Sequence, residues 1–131
     1  MEFWREGRGW VVGWDSARHP YCALIGGADW TFELDEAELF GLLAQFETLK
    51  CQWEATLTEL MDEESLTLSA GNALVELELS GIARSCTLRV RVCRGRAAEG
   101  RFDPQSTAEV TAALVALGRR VARAPNRVEN S

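Results

Sequence analysis

Between Leu34 and Met61 the apolar positions fall at Leu39, Leu42, Leu43, Phe46, Leu49, Trp53, Leu57 and Leu60. Steps of three and four place them on one stripe of a helix, with Glu36, Gln45, Glu47, Gln52, Glu54 and Glu59 on the other side. Asp35 is a good N-cap, because its carboxylate can accept from a backbone N–H two or three residues on. Glu38 follows at the spacing that completes a capping box. The pattern predicts one long helix, roughly 40 Å from the Asp35 cap to Met61. Asp62-Glu63-Glu64 then oppose the helix macrodipole and should end it in a solvated turn.

On either side of this stretch the apolar period changes to two, the mark of strands. Ahead of it, Gly9–Trp14, Tyr21–Ile25 and Trp30–Leu34 read as three strands, and Met1–Arg8 as a polar, frayed end. Behind it, Leu66, Leu68 and Ala70 alternate with polar residues up to Gly71-Asn72, a plausible two-residue hairpin turn. That turn sets Leu68 against Val75 and Leu66 against Leu77. Ala73–Ser80 would be the next strand, and Gly81-Ile82 the next turn. Cys86, Leu88, Val90 and Val92 carry the apolar face of a third strand, and a short fourth ends at Phe102. The stretch from Leu66 to Phe102 is therefore a four-strand antiparallel meander with one apolar and one polar face. Asp103-Pro104 opens a second helix, with Asp as cap and Pro in the first turn. Its stripe is Val110, Ala113, Leu114, Leu117 and Val121, and the polar stretch from Arg119 reads as loose.

The order is three strands, a long helix, four strands and a helix: an α+β fold. Residues 1–121 form a single α+β domain and 122–131 a flexible C-terminal tail. In each half a strand hands over directly to a capped helix, at Leu34-Asp35 and Phe102-Asp103. This architectural repeat points to two antiparallel sheet-plus-helix halves packed as a pseudo-dimer.

Composition narrows the classes. At 131 residues the chain can bury about two thirds of its unfolded surface. No window is apolar enough for a membrane span, and the N-terminus lacks a signal-peptide core, so a cytoplasmic protein is expected. Cys22, Cys51, Cys86 and Cys93 form no C-x-x-C pair and read as buried, reduced thiols rather than disulfides or metal ligands. Charge is unevenly placed. Met1–Ser80 holds 16 acids and 4 bases, a net −12, while Gly81–Ser131 holds 4 acids and 10 bases, a net +6. The total of −6 repels nucleic acid at long range, but a basic patch in the second half would attract phosphate locally. Arginine outnumbers lysine thirteen to one.

Candidate chemistry is sparse. The single histidine, His19, sits in a turn before Pro20 with no nucleophile or base beside it in sequence. Gly7-x-Gly9 and Gly26-Gly27 lie next to strands but open no helix, so neither is a dinucleotide fingerprint. No catalytic, cofactor-binding or metal-binding residue is expected, and the chain reads as non-enzymatic. Two binding surfaces remain. Arg84, Arg89, Arg91, Arg94, Arg96 and Arg101 in and around the meander would be a nucleic-acid face. Single-strand sites also need aromatic platforms, and the meander offers only Phe102, on its apolar side. Glu76 and Glu78 share the polar face with Arg89 and Arg91, which favours cross-strand ion pairing there. Trp4, Trp10 and Trp14 crowd the N-terminal strands, and an exposed cluster of them would mark a protein partner.

Glu6-Gly7-Arg8-Gly9-Trp10, Gly13-Trp14-Asp15, Gly26-Gly27-Ala28-Asp29-Trp30, Leu60-Met61-Asp62-Glu63-Glu64 and Glu99-Gly100 together resemble the signature of a small cyanobacterial family, the domain of unknown function numbered 1818. The likeness spans roughly Met1 to Leu117 and departs from the pattern around Gly100-Arg101-Phe102, where a Trp is expected. The resemblance implies no established activity. It implies a Whirly-like fold, that of the single-stranded-DNA-binding transcriptional regulators, in which sheet-and-helix repeats pair with swapped helices. The expectation is thus a cytoplasmic, non-enzymatic interaction or assembly module of cyanobacteria, monomeric or homodimeric, with an unidentified protein partner favoured over nucleic acid and single-stranded nucleic-acid binding as the alternative.

Overall fold

Asp35 and Glu38 close the capping box. The Asp35 carboxylate accepts from Glu38 N at 2.9 Å, and Glu38 Oε1 accepts from Asp35 N at 3.0 Å. They start α1 (Glu36–Leu57) in a computed structural model that describes residues 2–95 and 97–123 of the chain. The stripe from Leu39 through Leu42, Phe46 and Leu49 to Trp53 is buried. The helix stops short of Met61. It has no basic residue in its last turn to offset the macrodipole, and the Thr56 and Thr58 hydroxyls donate back to Gln52 O and Ala55 O. At 22 residues it is roughly 33 Å long, and Leu60 and Met61 lie beyond it.

Four strands precede α1: β1 (Phe3–Gly7), β2 (Trp10–Trp14), β3 (Tyr21–Gly26) and β4 (Thr31–Asp35), an antiparallel sheet in chain order. The N-terminus expected to fray is therefore a strand, paired from Phe3 with Trp14 through Gly7 with Trp10. As an edge strand it buries only Phe3, so it shows no apolar alternation in sequence. The second sheet, also in chain order, is β5 (Leu66–Gly71), β6 (Val75–Ile82), β7 (Ser85–Val92) and β8 (Ala98–Phe102).

Two turns differ from expectation. Leu68 pairs with Leu79, not Val75, and Leu66 with Gly81, not Leu77. The loop is wider because Asn72 Oδ1 accepts from both Leu74 N and Val75 N, and Asn72 N donates to Val75 O. The slip is an even number of residues, so every side chain keeps its face. Gly81 does not turn the chain either. It sits within β6 at φ +146, and Ala83-Arg84 turn the chain between the paired Ile82 and Ser85.

α2 (Pro104–Ala122) starts at Asp103, whose carboxylate accepts from Ser106 N at 2.7 Å. It runs into the first residues of the stretch expected to be loose, as far as Ala122, with Arg119 and Arg120 suiting the macrodipole in its last turn. The tail expected over 122–131 thus begins inside the helix, and residues 124–131 lie outside the described residues.

α1 packs chiefly on β5 and β6 and also on β3 and β4; α2 packs on β7, β8, β1 and β2; the two helices touch. Each helix therefore bridges both sheets, and a single apolar core results. Polar links join the halves, among them the ion pair of Arg94 with Asp35. Trp10 Nε1 donates to Glu109 Oε1 at 2.9 Å, Ser106 Oγ donates to Arg8 O at 3.1 Å, and Trp30 Nε1 donates to Arg101 O at 3.1 Å. The Trp30 ring lies over Gly100 of β8, where any side chain would collide with it, and its centroid is 4.9 Å from that of Phe102. Buried Thr107 accepts from Leu88 N and donates to Phe102 O, so α2 is tied to β7 and β8 by a satisfied hydroxyl.

Candidate functional site

On the solvent face of the second sheet, Ser69, Glu78, Arg89 and Arg101 form one row across the four strands. Gly71, Glu76, Arg91 and Glu99 form the next. Arg89 lies at the centre. Its guanidinium reaches Glu76 at 3.4 Å, Glu78 at 3.3 Å and Glu99 at 3.4 Å, and its side chain is only 18% exposed. Burial works against its charge, but Glu78, Glu99 and Glu76 outweigh burial and hold the guanidinium above its ordinary pKa. Three arginines and three glutamates occupy the two rows, so the face carries no net charge. The basic excess of the second half disappears because β6 contributes Glu76 and Glu78.

The other candidate arginines do not join this face into a groove. Arg94 pairs with Asp35, the cap of α1, and Arg84 stands in the β6–β7 turn. Arg91 and Arg101 are exposed and make no ion pair among the described residues, and Arg96 lies outside them. Phe102 is buried, and among the described residues no aromatic ring stands on this face.

The three N-terminal tryptophans do not form a surface cluster. Trp10 and Trp14 are core residues at 8% and 4% exposure, on the inner side of β2. Trp4 alone faces solvent, at 40% exposure. Its ring lies on Gly13, its cross-strand partner, where a side chain would collide with it. The row runs on through half-buried Leu24 to Glu33, and half-buried Val11 adjoins it on the same face.

A cleft of about 380 Å³ opens where α1, the β6–β7 hairpin and α2 meet. Phe46 and Trp53 line it from α1, Leu79 and Cys86 from the hairpin, and Ala108, Ala112 and Val115 from α2. Lys50 and Arg84 also line it. Burial raises the pKa of the Cys86 thiol, which keeps it protonated and unreactive. In the sequence, the cleft is signalled only by small residues four apart on α2 and by the lone lysine at the border of the α1 stripe.

Among the described residues no group of His, Cys, Asp or Glu is arranged to hold a metal ion, and no helix is long and apolar enough to cross a membrane. Glu64 of the acidic turn accepts instead from Met61 N, and His19 is exposed.

No curated protein matches the chain. A solved structure from Prochlorococcus sp. NATL2A, described as a protein of unknown function from the DUF155 family, is similar at 28% identity and a TM-score of 0.81, covering 88% of this chain and 98% of that one. A family profile described as a domain of unknown function, DUF1818, matches residues 5–117. That match takes in both sheets from within β1 onward, α1 and most of α2, and the chain belongs to the DUF1818 family.

Proposed function

We propose that this domain is a non-enzymatic interaction module whose partner surface is the solvent face of the first sheet, centred on Trp4. The observation that carries the proposal is a large aromatic ring packed against Gly13, on the face of Leu24 and Val11, and left open to solvent. Aromatic anchors of this kind dominate protein contacts. The second sheet's solvent face lacks both requirements for single-stranded nucleic acid, net positive charge and a stacking platform. Four free cysteines fit a cytoplasmic setting, and the Prochlorococcus relative fits a cyanobacterial family. The bridging of both sheets by each helix supports a Whirly-like pseudo-dimer, in which the interaction role replaces nucleic-acid binding.

The test compares the wild type with Trp4→Ser, which should fold equally well. Both would be used as bait in a cyanobacterial extract and sedimented over a concentration range. A partner, or a second copy, bound by the wild type and lost with Trp4→Ser supports the proposal. Identical capture and sedimentation overturn it. Fluorescence anisotropy with a labelled single-stranded oligonucleotide at low salt examines the alternative. Binding lost in Arg89→Ala with Arg91→Ala would move the function to the second sheet.

A further inference from the structure

The chain contains a single lysine, and Lys50 lines two neighbouring clefts between α1 and α2. The first, of about 380 Å³, is the cleft floored by the β6–β7 hairpin. Its size and lining are those of a small-molecule site: mostly apolar walls with a few polar groups. Its origin is physical. α1 presents Phe46 and Trp53 to this end of the helix pair, while α2 presents Ala108 and Ala112. Small residues facing large ones hold the helices apart without filling the space between them.

The charges around this space are distinctive. Lys50 comes from α1 and Arg84 from the hairpin turn. Arg84 has no ion-pair partner among the described residues. Glu54 meets Lys50 at 3.7 Å from the same helix, and that carboxylate is itself 60% exposed, so it neutralises only one of the two cations. A local surplus of positive charge therefore stands at an apolar cleft, in a protein whose total charge is −6. The Thr111 hydroxyl lines the same cleft and donates to Ala108 O, which leaves its oxygen free to accept only. Buried Thr107 is already engaged with Leu88 and Phe102. The cleft thus offers apolar walls and two cationic donors.

We propose that this cleft binds a small amphipathic anion, an alkyl or aryl carboxylate, with its apolar body between Phe46, Trp53 and Val115 and its carboxylate at Lys50 and Arg84. Arginine recognises a carboxylate through paired N–H donors, and lysine adds a compact charge. The site is separate from the Trp4 face, so its test is independent of the interaction role.

Anilinonaphthalene sulfonate, an aryl anion whose emission rises in apolar surroundings, would be titrated into the full chain. It would then be displaced by dodecanoate or, in parallel, by the uncharged dodecanol. A single saturable site is expected, with dodecanoate displacing the probe at roughly tenfold lower concentration than dodecanol, since one charge-assisted contact is worth about that factor. Lys50→Gln with Arg84→Gln should erase this preference. Ala112→Phe should remove probe binding, and because Ala112 is exposed the fold should be kept. If that variant unfolds, Ala108→Phe, also at an exposed position, tests the same space. Equal displacement by dodecanoate and dodecanol overturns the proposal. So does probe binding that survives the filled cleft, or that is lost in Trp4→Ser.

Discussion

The two sheets have like interiors and unlike exteriors. Both bury an alternating row of apolar residues under both helices. Outside, the first sheet carries Trp4 on Gly13 beside Leu24, while the second carries a charge-balanced lattice centred on Arg89. The interior rows are set by folding, and any apolar pair of the right size would serve. The exteriors are under no such demand, so the difference between them is the more informative feature. A lattice of Arg and Glu is satisfied within its own face. A half-exposed tryptophan is not, and the proposed interaction role rests on that difference.

The largest expected effect removes what the two sheets share. Phe102→Ala empties a fully buried site that touches Trp30 of the first sheet, and should cost about 3–5 kcal/mol in urea unfolding. A loss below about 1 kcal/mol would show that the halves are stable apart. Next comes a matched pair. Gly100→Ala and Gly13→Ala each place a methyl group against a tryptophan ring. Trp30 is fixed by its bond to Arg101 O, so Gly100→Ala should destabilise by about 1–3 kcal/mol. Trp4 can swing into solvent, so Gly13→Ala should cost under about 1 kcal/mol. Equal losses would mean that Trp4 is as firmly seated as Trp30.

A smaller effect tests the lattice. Arg89→Ala leaves three carboxylates without their common cation and should lower stability by about 1–2 kcal/mol, against about 0.5 kcal/mol or less for Arg91→Ala. The gap should narrow in high salt. If the two variants unfold together, the lattice is decorative. The smallest effect compares one thiol from each sheet. Burial raises both Cys22 and Cys86 above the ordinary value of 9.0. In each case the folded state holds its proton more tightly than the unfolded chain. The contribution is therefore intact below pH 9.0 and declines as pH climbs through the folded-state values. Cys22→Ala and Cys86→Ala should each flatten the alkaline limb of a stability profile, and an unchanged limb would show that neither thiol ionises differently on folding.

Local chemistry made much of this fold legible. The Asp35–Glu38 box and the Asp103-Pro104 start are written in adjacent residues, and both helices begin there. The faces of the second sheet follow from period two and survive the wrong hairpin register, because the error was even. Features that depend on distant partners were not legible. β1 exists because β2 pairs with it, and nothing in Trp4-Arg5-Glu6-Gly7 alternates. Trp10, Trp14 and Trp4 look alike in sequence, and only the sheet's inner and outer sides separate them. The charge count gave the second half a surplus of bases, but period two already put Glu76 and Glu78 on the face of Arg89, and they pair with it there. The interhelical cleft arises from the meeting of three separate elements, and only the lone Lys50 and the small residues four apart on α2 could have signalled it.

That same residue gives the protein a built-in clock. A lysine-specific endoproteinase has one peptide bond to cut, between Lys50 and Cys51, and it lies within α1 with Leu49 fully buried beside it. No fraying at either end of the helix brings that bond into an active-site cleft. Cleavage has to wait for this part of the organising helix to leave its packing, so the rate of a single cut, read on a gel, reports how often that part of the core opens.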